Sequence, residues 1–402
     1  MRATGDSPVT GSPDSGVSTG TRTDRPTSPR VASLTGLRAL AALLIVATHA
    51  AFGTGQLSDG YLGAVYARLE VGVPVFFALS GYLLFRPWVL SAERGTPGPS
   101  VRRYARRRIR RIAPAYVVTV LIAFAIYHFR DAGPNPGHSW LGLLQHLTFT
   151  QIYPPNYFAV MHQGLTQMWS LAVEVAFYAV LPLLAGLLLT VLCGRRWRPT
   201  LLLTGLALLG AVTPLWLWFT QTTDLLPGSA NIWLPAHLIY FVGGMTLAVL
   251  QVRGARCRPW LVLPLALAAL LVVASPVAGN ISGQDLAPWQ PVVKTFLYAV
   301  FACALMAPLV LGDGGRYARL LGSRPVVWLG EISYEIFLLH VIVMEFAMSE
   351  VLHWPVFTGA MPVLFGVTVA MTIPAAWVLH RWTRVPGAER AERAERAERS
   401  RP

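Results

Sequence analysis

Lysine is almost missing from this chain of 402 residues: Lys294 stands alone beside 32 arginines, a bias that by itself points to no function. Cysteine is nearly as scarce. Cys193, Cys257 and Cys303 show no paired spacing, which argues against a disulfide framework and against a bound metal. There is no glycine-rich loop followed by lysine to cradle phosphates, no metal-ligand spacing and no Gly-x-Ser-x-Gly nucleophile turn. Charged residues make up 13% of the chain against 54% hydrophobic, which is about half the charge of an ordinary soluble domain.

What fills the chain instead is a succession of apolar runs of about 20 residues, the length that crosses a bilayer as a helix. The fold class that follows is all-α: a polytopic integral membrane protein with about ten transmembrane helices and both termini cytoplasmic. The spans fall near 32–52, 71–90, 112–129, 169–193, 199–220, 232–251, 259–278, 291–311, 325–348 and 356–380. A net charge of +14 would suit nucleic acid, but the arginines sit in short segments between the runs, so membrane orientation explains them and no nucleic acid is expected. Eight lie between Arg94 and Arg111, and three each in 195–198, 253–258 and 316–324, whereas the alternate connections hold only Arg68 and Arg130. That alternation supports the span count and a multi-pass protein of the cell membrane.

Three regions follow. Residues 1–30, rich in Ser, Thr, Gly and Pro, read as a disordered cytoplasmic tail with no apolar stretch to serve as a cleavable signal. Residues 31–385 form the membrane domain. Residues 386–402 are a charged Ala-Glu-Arg repeat tail. The connection 130–168, with Pro134, Pro136, Pro154 and Pro155, is long enough for a lid or binding loop.

Leu34 to Ala50 is the run around which the others are organised. It carries Arg38 and His49, about three helical turns and 16 Å of rise apart, so both look out from one face. Ionisable groups at such depth face a cavity or pathway rather than lipid. Arg38 and the cluster Arg106 to Arg111 form a positive mouth at the cytoplasmic side, suited to phosphate as well as to fixing topology. Glu174, about 8 Å below the outer end of the fourth span, is placed to hold the His49 ring. His340 on the ninth span reaches a similar depth alongside Glu345, as a second histidine or as a satisfied core residue. Ser80 and Gly81 fit close helix packing.

Five segments in order then carry a resemblance: Arg38-x10-His49, Gly72 to Tyr82, Arg107-Arg108-x-x-Arg111-Ile112-x-Pro114, Trp169 to Tyr178, and Gly330-x-Ile332-Ser333-Tyr334 through His340. Together they resemble membrane acyltransferase family 3, the O-acetyltransferase group, over residues 31–380. The resemblance implies transfer of an acyl group, usually acetyl from acetyl-coenzyme A, to a hydroxyl of a sugar or related acceptor. It makes His49 catalytic and links Arg38, Arg108 and Arg111 to the donor; Arg107 and Tyr334, within the same motifs, join the substrate-binding set. Two departures stand out: the last span ends in Leu379-His380-Arg381, where relatives carry an acid, and Glu335 stands where relatives carry a small or hydroxylic residue.

The reading is thus a membrane O-acyltransferase, with catalytic His49, Glu174 and His340, an acyl-coenzyme A donor in place of a cofactor, and a carbohydrate hydroxyl as acceptor on a glycolipid, surface polymer or glycosylated natural product. His49 would act as base toward the hydroxyl or carry the acyl group itself. The alternative from another class is a transporter or flippase with a His/Glu proton relay.

Overall fold

Inside hydrocarbon each backbone N–H and C=O needs a partner within reach of its own segment, which favours helices. The computed structural model describes residues 29–130, 133–280, 286–312 and 315–383, and among them helices form and no strand does. The expected tails fall almost wholly outside the described residues. The helices are α1 Pro29–Gly53, α2 Gly60–Arg68, α3 Gly72–Arg94, α4 Val101–Phe129, α5 Trp140–Leu147, α6 Trp169–Ala185, α7 Pro199–Thr222, α8 Leu234–Val252, α9 Pro259–Val273, α10 Trp289–Leu311, α11 Gly315–Leu321, α12 Arg324–Glu331, α13 Ser333–Phe346 and α14 Met361–Thr383.

Among the described residues, eight helical stretches are long and apolar enough to cross a membrane, and α12 with α13, bent by 68°, makes a ninth if the pair is one span. The expected seventh span corresponds to α9, which has only 15 residues. Its two ends nevertheless bracket α10. Cys257 N, just before α9, donates to Leu311 O at the end of α10, while Gln290 Nε2 at the start of α10 donates to Pro276 O, just after α9. α9 therefore runs antiparallel to α10 through the same depth, in fewer residues than the sequence window allowed.

The arginine-rich segment 101–111 is helix rather than loop, because α4 is 29 residues long and extends to about 43 Å. Its first three turns are longer than a bilayer requires, and they carry the arginines. At the other end of the site the fourth crossing starts early, in a 3-10 turn over Gln163–Met168 that runs into α6.

α1 lies at the middle, packed against α3, α12, α13 and α14. In lipid there is little hydrophobic drive between helices, so close backbone approach at small residues does the holding. Gly81 of α3 and Gly244 of α8 face one another's helices: a Cβ on Gly81 would sit 2.0 Å from Phe241 O, and one on Gly244 would sit 1.9 Å from Ala78 O. On α1, a Cβ at Gly36 would meet Leu321 O at 1.9 Å, and one at Gly330 of α12 would meet Thr35 O at 1.9 Å. The last two contacts bring α11 and α12 against α1, and Gly72 of α3, where a Cβ would meet Ala41 O at 2.3 Å, brings α3 against it, so that these helices fix what faces Arg38 and His49.

Gly244→Leu should force α3 from α8 at a cost of about 1–3 kcal/mol or more. The check is thermal unfolding in detergent, with Gly186→Leu as the comparison, since nothing lies within 4 Å of a Cβ there. A clear drop in Tm is expected for the first substitution and none for the second.

Candidate active site

Two cavities open along α1. The larger, about 470 Å³, lies toward the arginine-rich end and is lined by Arg38, Arg108, Arg111, Glu174, Tyr178 and Tyr334 among others. On α4 the cavity face is centred on Arg108, with Arg111 and Ile112 three and four residues on, as helix geometry requires. Arg108 Nε is buried and has no hydrogen-bond partner among the described residues. A guanidinium nitrogen left in that state is costly, and an anion in the cavity would satisfy it. Arg107, grouped with the substrate-binding residues from its motif, is exposed and does not line the cavity. One residue back is a rotation of about 100°, which carries it off the face.

Glu174 belongs to this cavity and not to His49. Its carboxylate accepts from Tyr178 Oη at 2.5 Å and also from Ser80 Oγ. The expected pairing failed on depth. Because the crossing begins at Gln163, Gln167 and Trp169 come level with His49, and Glu174 lies more than a turn further toward the arginine-rich end. Tyr334 lines the same cavity and donates to Ile112 O at 3.1 Å.

The second cavity, about 250 Å³, contains His49 together with Arg68, Glu70, Gln167, Trp169 and Lys294. Val73 and Phe337 line both cavities and form the partition between them. His340 is fully buried, and its Nε2 lies 2.9 Å from His49 Nδ1. The tautomers follow from the next bond along. His340 Nδ1 sits 2.8 Å from Phe337 O, and a carbonyl can only accept, so Nδ1 carries the proton. The neutral ring then has its lone pair on Nε2, and His49 Nδ1–H must donate to it. His49 Nε2 is left as an unprotonated nitrogen, free to act as a base. His340 thus takes the orienting place that the sequence had given to Glu174. Glu345 is not its neighbour; it accepts from Tyr127 Oη and lies 3.6 Å from Arg130 Nε.

In the second cavity Lys294 Nζ meets Glu70 Oε1 at 2.6 Å, and Tyr298 Oη donates to the same oxygen at 2.9 Å. Arg68 spends its guanidinium on the carbonyls of Val273 at 3.0 Å and Gly279 at 2.8 Å. Nothing in the sequence marked Glu70 or Gln167 for this cavity; Lys294 stood out there only as the solitary lysine, and Trp169 only as the first residue of its motif. The long connection 130–168 is tied to the helices by Tyr116 Oη to His146 O at 2.8 Å and Trp233 Nε1 to Ile152 O at 3.1 Å, and its end supplies Gln167 to the cavity.

The acyltransferase domain family, acyltransferase 3, matches this sequence over residues 31–381. The chain belongs to that family. It is a membrane acyltransferase, which decides against the transporter reading. Among curated members of known name it is 30% identical over 331 residues to acyltransferase MdmB of Streptomyces mycarofaciens, covering 79% of this chain and 80% of that one. It is 24% identical over 376 residues to the peptidoglycan O-acetyltransferase OatA of Listeria monocytogenes, covering 89% and 53%. For the O-acetyltransferase OatA of Staphylococcus aureus the figures are 25% over 393 residues, covering 91% and 58%. The chain therefore spans little more than half the length of the two OatA proteins. No solved structure matches it.

The two departures from the family pattern turn out to be one. Glu335, 6% exposed, accepts from His380 Nδ1 at 2.9 Å, joining α13 to α14. An acid expected on the last span stands on α13, and its partner occupies the vacated place. Neither residue lines either of these two cavities. Removing one member of a buried pair costs about 3–5 kcal/mol. Glu335→Gln and His380→Ala should each lower Tm in detergent, with the double variant little worse than either; additive losses would mean that the two do not act together.

Proposed function

We propose that this acyltransferase moves an acyl group, acetyl in the simplest case, from acyl-coenzyme A in the arginine-lined cavity to a hydroxyl in the His49 cavity. The observation that carries the reading is the pair of cavities meeting at Val73 and Phe337, with an unpartnered buried arginine nitrogen on one side and an oriented histidine base on the other. Arginine bias makes the first side cytoplasmic, where coenzyme A is found. Guanidinium forks suit its phosphates. Arg38 and His49 are separated by about 16 Å of helix, a span for a long uncharged arm that carries the thioester to the partition.

The chemistry follows from the tautomers. His49 Nε2 takes the proton of the acceptor hydroxyl as its oxygen attacks the thioester carbonyl. The imidazolium that forms keeps its Nδ1–H on His340 Nε2, which spreads the charge and holds the ring. Collapse of the tetrahedral intermediate breaks the C–S bond, and the leaving thiolate recovers the proton from His49. Ester and free thiol are the products, and no proton is gained or lost overall.

In purified protein with radiolabelled acetyl-coenzyme A, and with extracts divided into glycolipid, polymer and small-molecule pools, one pool should take up label. His49→Ala should abolish transfer. His340→Ala should lower kcat by about 10–100-fold with donor KM unchanged, and the double variant should be no worse than His49→Ala. Arg108→Ala should raise donor KM about tenfold or more, equivalent to ~1.4 kcal/mol, while Arg107→Ala should leave it alone. Near wild-type turnover in His49→Ala would remove the base from the proposal.

The partition has its own test. A thioester held at an aqueous cavity is open to hydrolysis, and exclusion of water is what a closed wall supplies. Phe337→Ala should raise acceptor-independent consumption of acetyl-coenzyme A relative to transfer by about tenfold, ~1.4 kcal/mol in the balance of the two barriers. Phe337→Leu, which keeps an apolar wall, should stay near wild type. Equal hydrolysis in all three proteins would show that the wall is not what keeps water from the donor.

A further inference from the structure

We infer that the histidines packed at the outer end of α4 form an acid-operated latch: uncharged, they clamp the segments 133–139 and 160–168 to α4, and a proton taken up by His162 releases both. The latch depends on neither the acyl donor nor the acceptor. It acts through the turn Gln163–Met168, which leads to Gln167 and Trp169 in the His49 cavity.

Four of the nine histidines in the chain gather here: His128 on α4, His138 in the connection, His146 on α5 and His162 just before the fourth crossing. His162 is 1% exposed and stands in a cage of rings. Between ring centroids, Phe124 lies 4.6 Å from it, Tyr127 5.0 Å, His138 5.4 Å and His146 6.1 Å. Its Nε2 is 3.2 Å from His138 Nδ1, and its Nδ1 is buried with no hydrogen-bond partner among the described residues. The backbone is clamped at the same place. Gln163 N donates to Asn135 Oδ1 at 3.1 Å and Gln163 Nε2 to Pro134 O at 2.8 Å, while a Cβ on Gly137 would lie 2.4 Å from His162 N.

The cage leaves no place for a second proton on His162. The contact between His138 Nδ1 and His162 Nε2 uses one proton, and another would set two N–H bonds against each other. A proton at His162 Nδ1 would instead be a buried donor with no acceptor. The groups facing it from the neighbouring elements are already engaged. His146 Nδ1 carries a proton for Gly142 O at 2.7 Å, and Tyr127 Oη donates to Glu345. Arg130 answers Glu345 at 3.6 Å and Glu350 at 2.7 Å. Tyr157 joins His146 along a small space beside His162, and His128 lies exposed beyond His138, 6.4 Å away between centroids. Burial, with His146 and His138 beside it, pushes His162 down to about 3 from the ordinary 6.5. Below about pH 6.5 the clamped form therefore binds fewer protons than the released form, so its stability is full above that value and is lost progressively as pH falls toward 3.

Arginine alternation puts this cluster on the outer face, where pH follows the surroundings rather than a buffered cytoplasm. Imidazole is the side chain whose ordinary value falls in the range such a face meets. A cluster that served only to pack the connection against α4 would do as well with phenyl rings. Phe124 is already in place, and the three titrating rings set round it, His138, His146 and His162, add a dependence on pH that packing does not call for.

The test follows amide hydrogen exchange of the full chain in lipid nanodiscs at about pH 7.5 and about pH 5, either side of an ordinary imidazole, with exchange times scaled to the intrinsic rate at each pH. Protection in 133–168 should fall by about tenfold or more at the lower pH, while protection in α7, which holds no histidine, stays the same. His162→Phe keeps a ring in the cage and takes up no proton, so its protection should not change with pH. His162→Gln, neutral and polar, serves where His162→Phe fails to purify, and the same constancy is expected of it. Equal protection of the wild type at the two pH values overturns the latch. A fall in either variant as large as in the wild type overturns it too, because the acid response would then lie elsewhere in the connection.

Discussion

One hydrogen bond inside α13 sets the chemistry of the whole site. His340 Nδ1 donates to the carbonyl of Phe337, one turn back on the same helix. That bond fixes the His340 tautomer, the tautomer fixes which atom of His340 accepts, and the acceptor fixes which nitrogen of His49 is free. Phe337 also contributes its ring to the wall between the cavities. A single residue therefore orients the histidine pair through its backbone and stands between the two cavities through its side chain. Any change that moves α13 along its axis would disturb both at once.

The remaining polar groups follow from the expense of placing them in hydrocarbon. Some are paired across helices, some belong to residues that line a cavity, and others, among them both ring nitrogens of His237 and the hydroxyls of Thr368 and Thr372, are buried with no hydrogen-bond partner among the described residues. Glu335 with His380 and Glu174 with Ser80 and Tyr178 are of the first kind, and they join α13 to α14 and α3 to α6. Arg108 and Gln167 are of the second kind, lining opposite cavities, and Arg108 Nε and Gln167 Oε1 are buried with no hydrogen-bond partner among the described residues. These two residues lie on opposite sides of the Val73 and Phe337 partition.

Much of the fold was legible because its signals are local. Apolar runs and arginine-bearing connections can be counted along the chain, and Arg38 with His49 needed only helix geometry on one span. The misreadings concern depth and partnership, which depend on where a helix starts. Glu174 was measured from Trp169, but the crossing begins in the 3-10 turn at Gln163, and that difference moved it from His49 to the arginines. α9 looked like a 20-residue span and crosses with 15, because Pro276 and the carbonyls bound by Arg68 finish the traverse outside regular helix. Lys294 was visible as the only lysine, but nothing in one dimension says that it meets Glu70, 224 positions away in the sequence. Glu335 and His380 were each seen as a departure; only packing shows that they compensate one another.

The division of labour between the cavities also follows from physical chemistry. In the proposed reaction, donor recognition would act on phosphate charge, which is the same whatever acyl group is carried, so the arginines of α1 and α4 would suffice. Acceptor recognition has to distinguish one neutral hydroxyl compound from another, and charge alone cannot do that. Discrimination among neutral ligands comes from buried polar atoms that are left unpaired by the wrong partner. Gln167, 2% exposed and fixed by its own amide, reaches the His49 cavity from the turn that also displaced Glu174. The early start of the fourth crossing therefore does two things: it places Glu174 in the arginine-lined cavity, and it brings Gln167 level with His49.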